Sequence, residues 1–304
     1  MSSDTIISVN NLRTYFYSGQ RCNKVINGIS MEIKRGKTLC VVGESGCGKS
    51  VTASCIMQLL PKLARIEEGN IIYHSDEGDI DLSKLPRNGK KMRELRGKDI
   101  AMIFQDPMTA LNPVFKVGYQ IGENLKMHEN MDKKGVRERT LELLTNMGIP
   151  QPDKRIDQYP HEFSGGMRQR SMIAMAMACN PKVLIADEPT TALDVTIQAQ
   201  IFELIEELKT KYNTAIMLIT HDMGVVCELA DDVAVMYMGM IIESGSAREV
   251  LKTPKHPYTQ ALLRSIPVLG KGADQNLQPI KGSTPDPYDR PVGCQFEPRC
   301  DYAC

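Results

Sequence analysis

The chain carries no excess of charge of either sign. Its 304 residues include 37 basic side chains (Lys and Arg) and 37 acidic ones, so the formal net charge is zero. Proteins that hold nucleic acids by their phosphates normally carry a basic surplus. The composition therefore gives no reason to expect a nucleic-acid partner.

Long apolar runs are missing as well. A membrane-spanning helix needs about 20 consecutive apolar residues, whereas the longest run here, around 233–242, has Asp231 and Asp232 before it and Glu243 after it. The N-terminal sequence MSSDTIISV has no positive region followed by a long apolar one, as a secretory leader would. We expect a cytosolic protein whose nine cysteines are mostly reduced thiols.

The octapeptide GESGCGKS, residues 43–50, fits the phosphate-binding pattern G-x-x-x-x-G-K-[ST] at every fixed position. An apolar, strand-like run precedes it at 38–42, and a helical pattern follows it from 51 to 60 and stops at Pro61. In this order, backbone N–H groups and a helix N-terminus can surround a phosphate. Lys49 offers a cation to the β- and γ-phosphates, and the Ser50 hydroxyl offers a ligand to Mg²⁺. The motif predicts a nucleoside triphosphate site, with contacts from Gly43, Glu44, Ser45, Gly46, Cys47, Gly48, Lys49, Ser50 and Val51.

Three other apolar runs end in polar side chains. The run 100–104 ends at Gln105, the run 183–186 at Asp187 and Glu188, and the run 215–220 at His221. In α/β proteins, ligands bind at the carboxyl edge of the strands. Asp187 is therefore predicted to hold Mg²⁺, and Glu188 to polarise the water that attacks the γ-phosphate. The alternative is that both acids cap the next segment.

A second helix start has the chemistry of an anion site. In the segment FSGGMRQR, Ser164 is suited to cap a helix, and Gly165 and Gly166 leave its first N–H groups open. One chain seldom needs two such helix starts for one nucleotide. The pair predicts a site shared between two subunits.

Residues 6–42 are typical of strands, which we place at 6–9, 12–17, 26–33 and 38–42, with turn residues at Ser18-Gly19 and Arg35-Gly36. One ring of Tyr15, Phe16 or Tyr17 could stack on an adenine base, or all three could simply pack within the strand. The basic stretch 87–98 predicts a solvated helix face. Apolar spacing predicts helices between 113 and 148.

Together these motifs resemble those of ABC-type ATPases, the nucleotide-binding subunits of ATP-driven transporters. The resemblance covers residues 5–250 and implies an α/β P-loop NTPase fold. That fold has a RecA-like core sheet, an antiparallel N-terminal subdomain and a helical insertion at about 107–180. The resemblance makes Glu188, His221 and Gln105 catalytic, places Ser50, Gln105 and Asp187 around Mg²⁺, and assigns ATP contacts to Ser164, Gly165, Gly166 and Asp194. By position, Phe16 aligns with the adenine-stacking aromatic, and Tyr15 and Tyr17 are the alternatives.

The tail, residues 251–304, is similar to the small C-terminal extension of dipeptide/oligopeptide and nickel importer ATPases. The similarity lies in HPYTQALL at 256–263 and in GCQFEPRC at 293–300. Some members of that family hold a [4Fe–4S] cluster through four cysteines. The three candidates here are Cys294, Cys300 and Cys304. There are two alternatives: the three cysteines hold zinc, or they are thiols that bind no metal.

The resemblance implies an ATP-hydrolysing subunit that energises the import of di- or oligopeptides. Nickel or another small solute is the alternative cargo, and a non-transport ABC ATPase is the alternative class. A catalytically silent subunit is expected to lack Glu188 or His221, and both are present. The implied cofactors are ATP and Mg²⁺. The implied partners are a second homologous ATPase subunit (identical or not), two integral-membrane permease subunits and an extracellular solute-binding protein. The implied location is the cytoplasmic face of the cell membrane.

Overall fold

The computed structural model describes residues 4–106, 110–190, 193–265 and 280–303. The chain divides into two compact units. The first comprises Met1–Lys34, Thr38–Lys84 and Ile219–Cys304, and the second Arg35–Lys37 and Leu85–Leu218. The strands are β1 (Thr5–Ser18), β2 (Arg21–Lys34), β3 (Thr38–Val42), β4 (Ala64–Ser75), β5 (Gly78–Asp81), β6 (Ile100–Ile103), β7 (Val183–Asp187), β8 (Ala215–Ile219), β9 (Asp232–Tyr237) and β10 (Met240–Ser246). The helices are α1 (Lys49–Ile56), α2 (Lys90–Leu95), α3 (Val117–His128), α4 (Lys133–Asn146), α5 (Pro152–Arg155), α6 (Gly165–Ala176), α7 (Val195–Tyr212), α8 (Met223–Leu229), α9 (Ala247–Lys252) and α10 (Pro257–Arg264).

The first unit contains an antiparallel sheet in the order β2-β1-β4-β5. The prediction of separate strands at 6–9 and 12–17 is wrong, because β1 is continuous through both. Its pairing with β2 shifts register between Val9 and Leu12, and Asn11 adopts a φ of 44°. Asparagine tolerates this left-handed conformation, so the extra residue is absorbed in a bulge while pairing continues on both sides.

The first unit also contains three strands in the order β10-β9-β3. β3 runs parallel to β9, with Val42 opposite Val235. All five residues of β3 are buried, as expected for the unbroken apolar run that precedes the glycine-rich loop. The helix after that loop ends at Ile56 and not at 60, because Gln58 takes a φ of 50° and breaks the helical ladder.

The second unit contains strands in the order β8-β7-β6. β6 and β7 are parallel, with Ile103 opposite Ala186. The predicted helical stretch appears as α3 and α4, and α6 follows. The basic segment 87–98 forms the short helix α2, which buries Met92 and Leu95 and exposes its charged side chains, so the predicted solvated face is present.

Among the described residues, no helix combines the length and the apolar character that crossing a bilayer requires. The predicted boundaries at 5–250 and 251–304 stay predictions.

Candidate nucleotide site

The glycine-rich loop, residues 43–50, links β3 to α1 in the first unit. Gly43, Gly46 and Gly48 have φ values of 149°, 81° and 107°, which residues with a Cβ rarely adopt. A Cβ on Gly43 would lie 2.2 Å from the Met236 carbonyl oxygen. Glycine is therefore required both for the turn and for the close approach of β9. The loop has the open backbone that a phosphate-binding nest needs.

Lys49 is the first residue of α1 and is only 5% exposed. Its Nζ donates hydrogen bonds to the carbonyl oxygens of Gly43 at 2.7 Å and Glu44 at 3.0 Å. The ammonium group is thus held inside the loop that is predicted to receive phosphate. Cys47 lies beneath it with its Sγ 3.9 Å from Nζ. Burial raises the pKa of this thiol, so Cys47 serves as a packing group and not as a second charge.

The three aromatic candidates for adenine stacking differ in their surroundings. Tyr15 lies beneath the Lys24 ammonium at 5.7 Å, and the Tyr17 hydroxyl donates to Glu67 at 2.7 Å. Thr14, two residues before Phe16, hydrogen-bonds across to Cys55 of α1, with the two side-chain atoms 3.2 Å apart. Side chains two apart on a strand share a face. Phe16 is therefore on the face of β1 that looks toward the helix of the phosphate loop. Its stacking role stays a prediction.

In the second unit, Gln105 and Glu188 meet at the ends of two parallel strands. Because Ile103 pairs with Ala186, the residues two positions further along each strand lie level with one another. The Gln105 Nε2 donates to Glu188 Oε2 at 2.9 Å. Glu188 has a φ of 45°, a conformation that is uncommon outside glycine and that, when strained, clusters at functional sites. Asp187, the last residue of β7, is 5% exposed.

The serine and two glycines at the start of α6 also belong to the second unit. The Ser164 hydroxyl accepts a hydrogen bond from the Met167 N–H at 3.3 Å and caps the helix. Ser164 and Gly165 are exposed, while Gln169 in the next turn is buried and donates to the Pro189 carbonyl oxygen. The open helix start and the segment after Glu188 are thus tied together by a buried side chain.

Asp194 and His221 complete the predicted set. Asp194 caps α7 by accepting from the Ile197 N–H at 3.0 Å. His221 is exposed in the first unit, just before Asp222, which caps α8. The structure thus places the predicted nucleotide and Mg²⁺ residues at loops, strand ends and helix starts, except Phe16, which lies within β1. Their roles with ATP and Mg²⁺ stay predictions.

Two residues that the sequence did not single out also touch the phosphate loop. The Tyr258 hydroxyl oxygen accepts from the Glu44 N–H at 2.9 Å, and Arg299 forms two hydrogen bonds to the Glu44 carboxylate, at 2.7 and 2.9 Å. This contact with Glu44 raises the pKa of the Arg299 guanidinium. Both residues belong to the C-terminal segments HPYTQALL and EPRC. The one signal in the sequence that could have identified Tyr258 and Arg299 is that they lie in these two segments.

The cysteine-cluster prediction has no support here. Cys294 is exposed and Cys300 is half-buried, and Cys304 lies outside the described residues. In the part of the chain that the structure describes, no group of three or more His, Cys, Asp or Glu side chains could hold a metal ion.

Residues 26–191, half of the chain, match the ABC transporter family. The chain belongs to that family. Residues 242–304 match a second family, the C-terminal region of oligopeptide/dipeptide transporters. The resemblance inferred from the motifs is thereby confirmed in both parts of the chain, and the ATPase class is confirmed at the level of the family.

Relatives of this ABC cassette agree with both matches. The dipeptide transport ATP-binding protein DppD of Bacillus subtilis (strain 168) is 50% identical over 299 residues, which cover 98% of this chain and 87% of that protein. The oligopeptide transport ATP-binding protein OppD of the same organism is 51% identical over 281 residues, which cover 92% of this chain and 77% of that protein.

Solved structures confirm the α/β P-loop NTPase fold. CbiO1 of Clostridium perfringens, part of the ABC transporter complex CbiONQ, superposes with a TM-score of 0.67 at 29% identity and covers 83% of this chain and 92% of that one. A dimeric ATP-binding cassette in a post-hydrolysis state, bound to ADP and Pi, gives a TM-score of 0.70 at 24% identity and covers 80% of this chain and 99% of that one.

Proposed function

We propose that this ABC cassette binds and hydrolyses ATP to energise the import of di- or oligopeptides through a membrane permease. The observation that carries the ATPase part is the phosphate loop, with three glycines at positive φ and the Lys49 ammonium held inside it. The family of residues 242–304 and the two peptide-transport relatives support the cargo.

Each residue has a definite task in this proposal. The loop N–H groups and Lys49 neutralise the phosphates, and Phe16 stacks on the base. Glu188 accepts a proton from the attacking water, while Gln105 orients the Glu188 carboxylate through their hydrogen bond. Mg²⁺, with Ser50, Gln105 and Asp187 as its protein ligands, would neutralise the charge on the departing phosphate. Hydroxyl, amide and carboxylate oxygens are the donors that this ion prefers.

A second ATPase subunit supplies the other half of the site. The exposed Ser164–Gly165 helix start offers free N–H groups to a γ-phosphate that a neighbour holds. Hydrolysis then removes the anion that keeps the two subunits together. The neighbour is either a second copy or a homologous subunit.

The permease is the partner that places the chain at the cytoplasmic face of the membrane. The second unit exposes several large apolar side chains close together in sequence: Phe104, Val114, Phe115 and Tyr119 are 42%, 69%, 45% and 48% exposed. The Phe115 and Tyr119 rings lie 5.2 Å apart, centroid to centroid. An exposed apolar cluster of this kind is typical of an interaction surface.

The ATPase part is tested with Lys49→Ala, which should abolish binding of a fluorescent ATP analogue to the purified chain. Lys62→Ala, an exposed lysine soon after α1, is the matched control and should bind normally. If Lys49→Ala binds nucleotide as the wild type does, the phosphate-loop assignment is wrong.

Cargo is tested by uptake in cells that lack this gene. Labelled dipeptide uptake should be lost and should return with the wild-type gene but not with Glu188→Gln. Loss of ⁶³Ni²⁺ uptake with intact dipeptide uptake would instead favour the nickel alternative.

A [4Fe–4S] cluster on Cys294, Cys300 and Cys304 stays a prediction outside this proposal. It is tested by the visible absorption spectrum of protein purified without oxygen.

A further inference from the structure

Glu44, at a variable position of the phosphate loop, is held by three residues of the C-terminal extension. Arg299 reaches its carboxylate with two hydrogen bonds, at 2.7 and 2.9 Å. The Thr284 hydroxyl donates to the same carboxylate at 3.2 Å, and the Tyr258 hydroxyl oxygen accepts from the Glu44 N–H at 2.9 Å. Both the side chain and the backbone of one loop residue are therefore fixed by a segment more than 200 residues away in the chain.

The cation in this contact is buried. The Arg299 side chain is 4% exposed, whereas that of Glu44 is 27% exposed. The guanidinium carbon lies 5.9 Å from the ring centroids of both Tyr237 and Phe296. A buried guanidinium without a counter-ion is strongly unfavourable. Among the described residues, Glu44 is the acidic side chain in ion-pair contact with Arg299, so the extension in this position depends on the phosphate loop.

Tyr258 and Phe296 of the extension pack against Tyr237 of β9. Tyr258 and Tyr237 are fully buried, with ring centroids 4.7 Å apart, and Phe296 lies 5.4 Å from each of them. Arg290 adds hydrogen bonds to the carbonyl oxygens of Met238 and Lys24. Because this aromatic cluster is packed onto β9, a group that it presents to the loop has little freedom to move.

The contact with Glu44 reaches the phosphate-binding lysine directly. The peptide between Gly43 and Glu44 donates its N–H to Tyr258 and accepts from Lys49 Nζ on its carbonyl oxygen. The next carbonyl oxygen, that of Glu44, also accepts from Lys49 Nζ. Of the two carbonyl oxygens that accept from the Lys49 ammonium, one belongs to Glu44 and the other shares a peptide group with the Glu44 N–H that Tyr258 holds.

We infer that Arg299 and Tyr258 are positioning residues for the phosphate loop, which act through Glu44 to hold the loop in its nucleotide-binding shape. Glu44 then contributes to affinity through its bonds to the extension and not through a direct contact of its side chain with ATP. Without these contacts to the extension, the free loop samples more conformations. More conformational entropy is then lost when a phosphate binds, so the affinity for nucleotide falls. The inference rests on the proposed ATP-binding function.

The test is a double-mutant cycle on the 304-residue chain. The quantity measured is the dissociation constant of a fluorescent ATP analogue in the presence of Mg²⁺. The variants are Arg299→Gln, Glu44→Gln, the double variant, Tyr258→Phe and Arg299→Lys. Lys281→Gln is the control, because Lys281 is an exposed cation of the same extension that pairs with Asp301 and not with the loop. A thermal melt of each variant shows whether it is folded.

Arg299→Gln and Glu44→Gln should each weaken nucleotide binding about tenfold, which lies within the usual range of energetic coupling between sites. The double variant should be no weaker than either single variant, because both remove the same contact. Tyr258→Phe should also bind more weakly. Arg299→Lys should recover part of the affinity, since it keeps the charge but loses the paired hydrogen bonds. Lys281→Gln should bind like the wild type.

Folded Arg299→Gln or Glu44→Gln protein with wild-type affinity overturns the inference. The inference is also overturned if the losses of nucleotide affinity multiply in the double variant, or if Lys281→Gln loses as much affinity as Arg299→Gln. Should Arg299→Gln fail to fold, Glu44→Gln decides alone, since its side chain is partly exposed. A wild-type chain that binds no nucleotide would end the proposed function as well, whereas tight wild-type binding with unaffected variants would end only this inference.

Discussion

At the scale of single residues, the chemistry depends on where parallel strands end. The pairing of Ile103 with Ala186 brings Gln105 level with Glu188 and allows their hydrogen bond of 2.9 Å. The left-handed φ of 45° at Glu188 turns its side chain at the strand end. A strained backbone at such a position persists only where the surrounding structure holds it. The sequence predicted both residues from the apolar runs before them. Their hydrogen bond could not be predicted, because it depends on the pairing register of β6 with β7.

Glu188→Gln should retain ATP affinity and lose turnover by about 100-fold or more, the usual contribution of a general base. The amide keeps an oxygen that can accept from Gln105 but cannot take a proton from water. Phosphate release and nucleotide binding, measured side by side, separate the two effects. Glu203→Gln, an exposed acid on α7, is the control, and turnover in Glu188→Gln equal to this control would remove Glu188 from catalysis.

At the scale of elements, the loop and helix starts are where the local sequence rules are most specific. Serine or aspartate caps α4, α6, α7, α8 and α9 through side-chain oxygens. These residue types allow a helix start to be predicted from sequence. The end of α1 at Ile56 and the joining of two predicted strands into β1 were missed. In both places a residue takes a left-handed φ, Gln58 at the end of α1 and Asn11 within β1. Glutamine is not a residue type that favours this conformation, and asparagine tolerates it without requiring it, so neither position could be predicted from its residue type.

The phosphate loop gives a stability prediction. Gly43→Ala should destabilise the protein by about 2–4 kcal/mol, because a Cβ there meets the Met236 carbonyl oxygen at 2.2 Å and the strained backbone adds its own cost. Gly46→Ala is the matched comparison, since its φ is also positive but nothing lies within 4 Å of the added atom. Urea unfolding should give Gly43→Ala a clearly lower free energy of unfolding than Gly46→Ala. Equal losses of stability would contradict the close approach of the Met236 carbonyl oxygen to Gly43.

The start of α10 gives a pH prediction. The His256 Nδ1 accepts from the Tyr258 N–H and caps the helix, and burial lowers the pKa of His256 below its usual 6.5. As the pH falls through about 6.5, the unfolded chain takes up this proton first, so stability declines until the folded pKa is passed.

His256→Asn keeps a capping side chain without the titration. Between about pH 7.5 and pH 5.5, its melting temperature should fall less than that of the wild type. Burial also lowers the pKa of His128, so both proteins keep a residual dependence of melting temperature on pH. His161→Asn, at an exposed histidine, should keep the wild-type slope, and the same slope in His256→Asn would refute the assignment.

At the scale of the whole molecule, the sequence predicted the family, the fold and the positions of the motifs, because each motif is a short run with its own chemistry. It did not predict how the C-terminal extension meets the phosphate loop. The bonds of Arg299 and Tyr258 to Glu44 join positions 214 to 255 residues apart. Such pairings depend on the packing of Tyr237, Tyr258 and Phe296, and no local pattern carries that information.

The most direct measurement of the central proposal is the mass of Glu188→Gln protein by light scattering, with and without ATP. It is made on the chain alone and with the proposed homologous subunit. ATP should produce a dimer in one of the two cases. Ser164→Arg should prevent this dimer when it is introduced into the subunits whose α6 start is proposed to contact the neighbour's nucleotide. A Glu188→Gln chain that binds ATP yet stays monomeric in both cases would contradict a triphosphate held between two subunits.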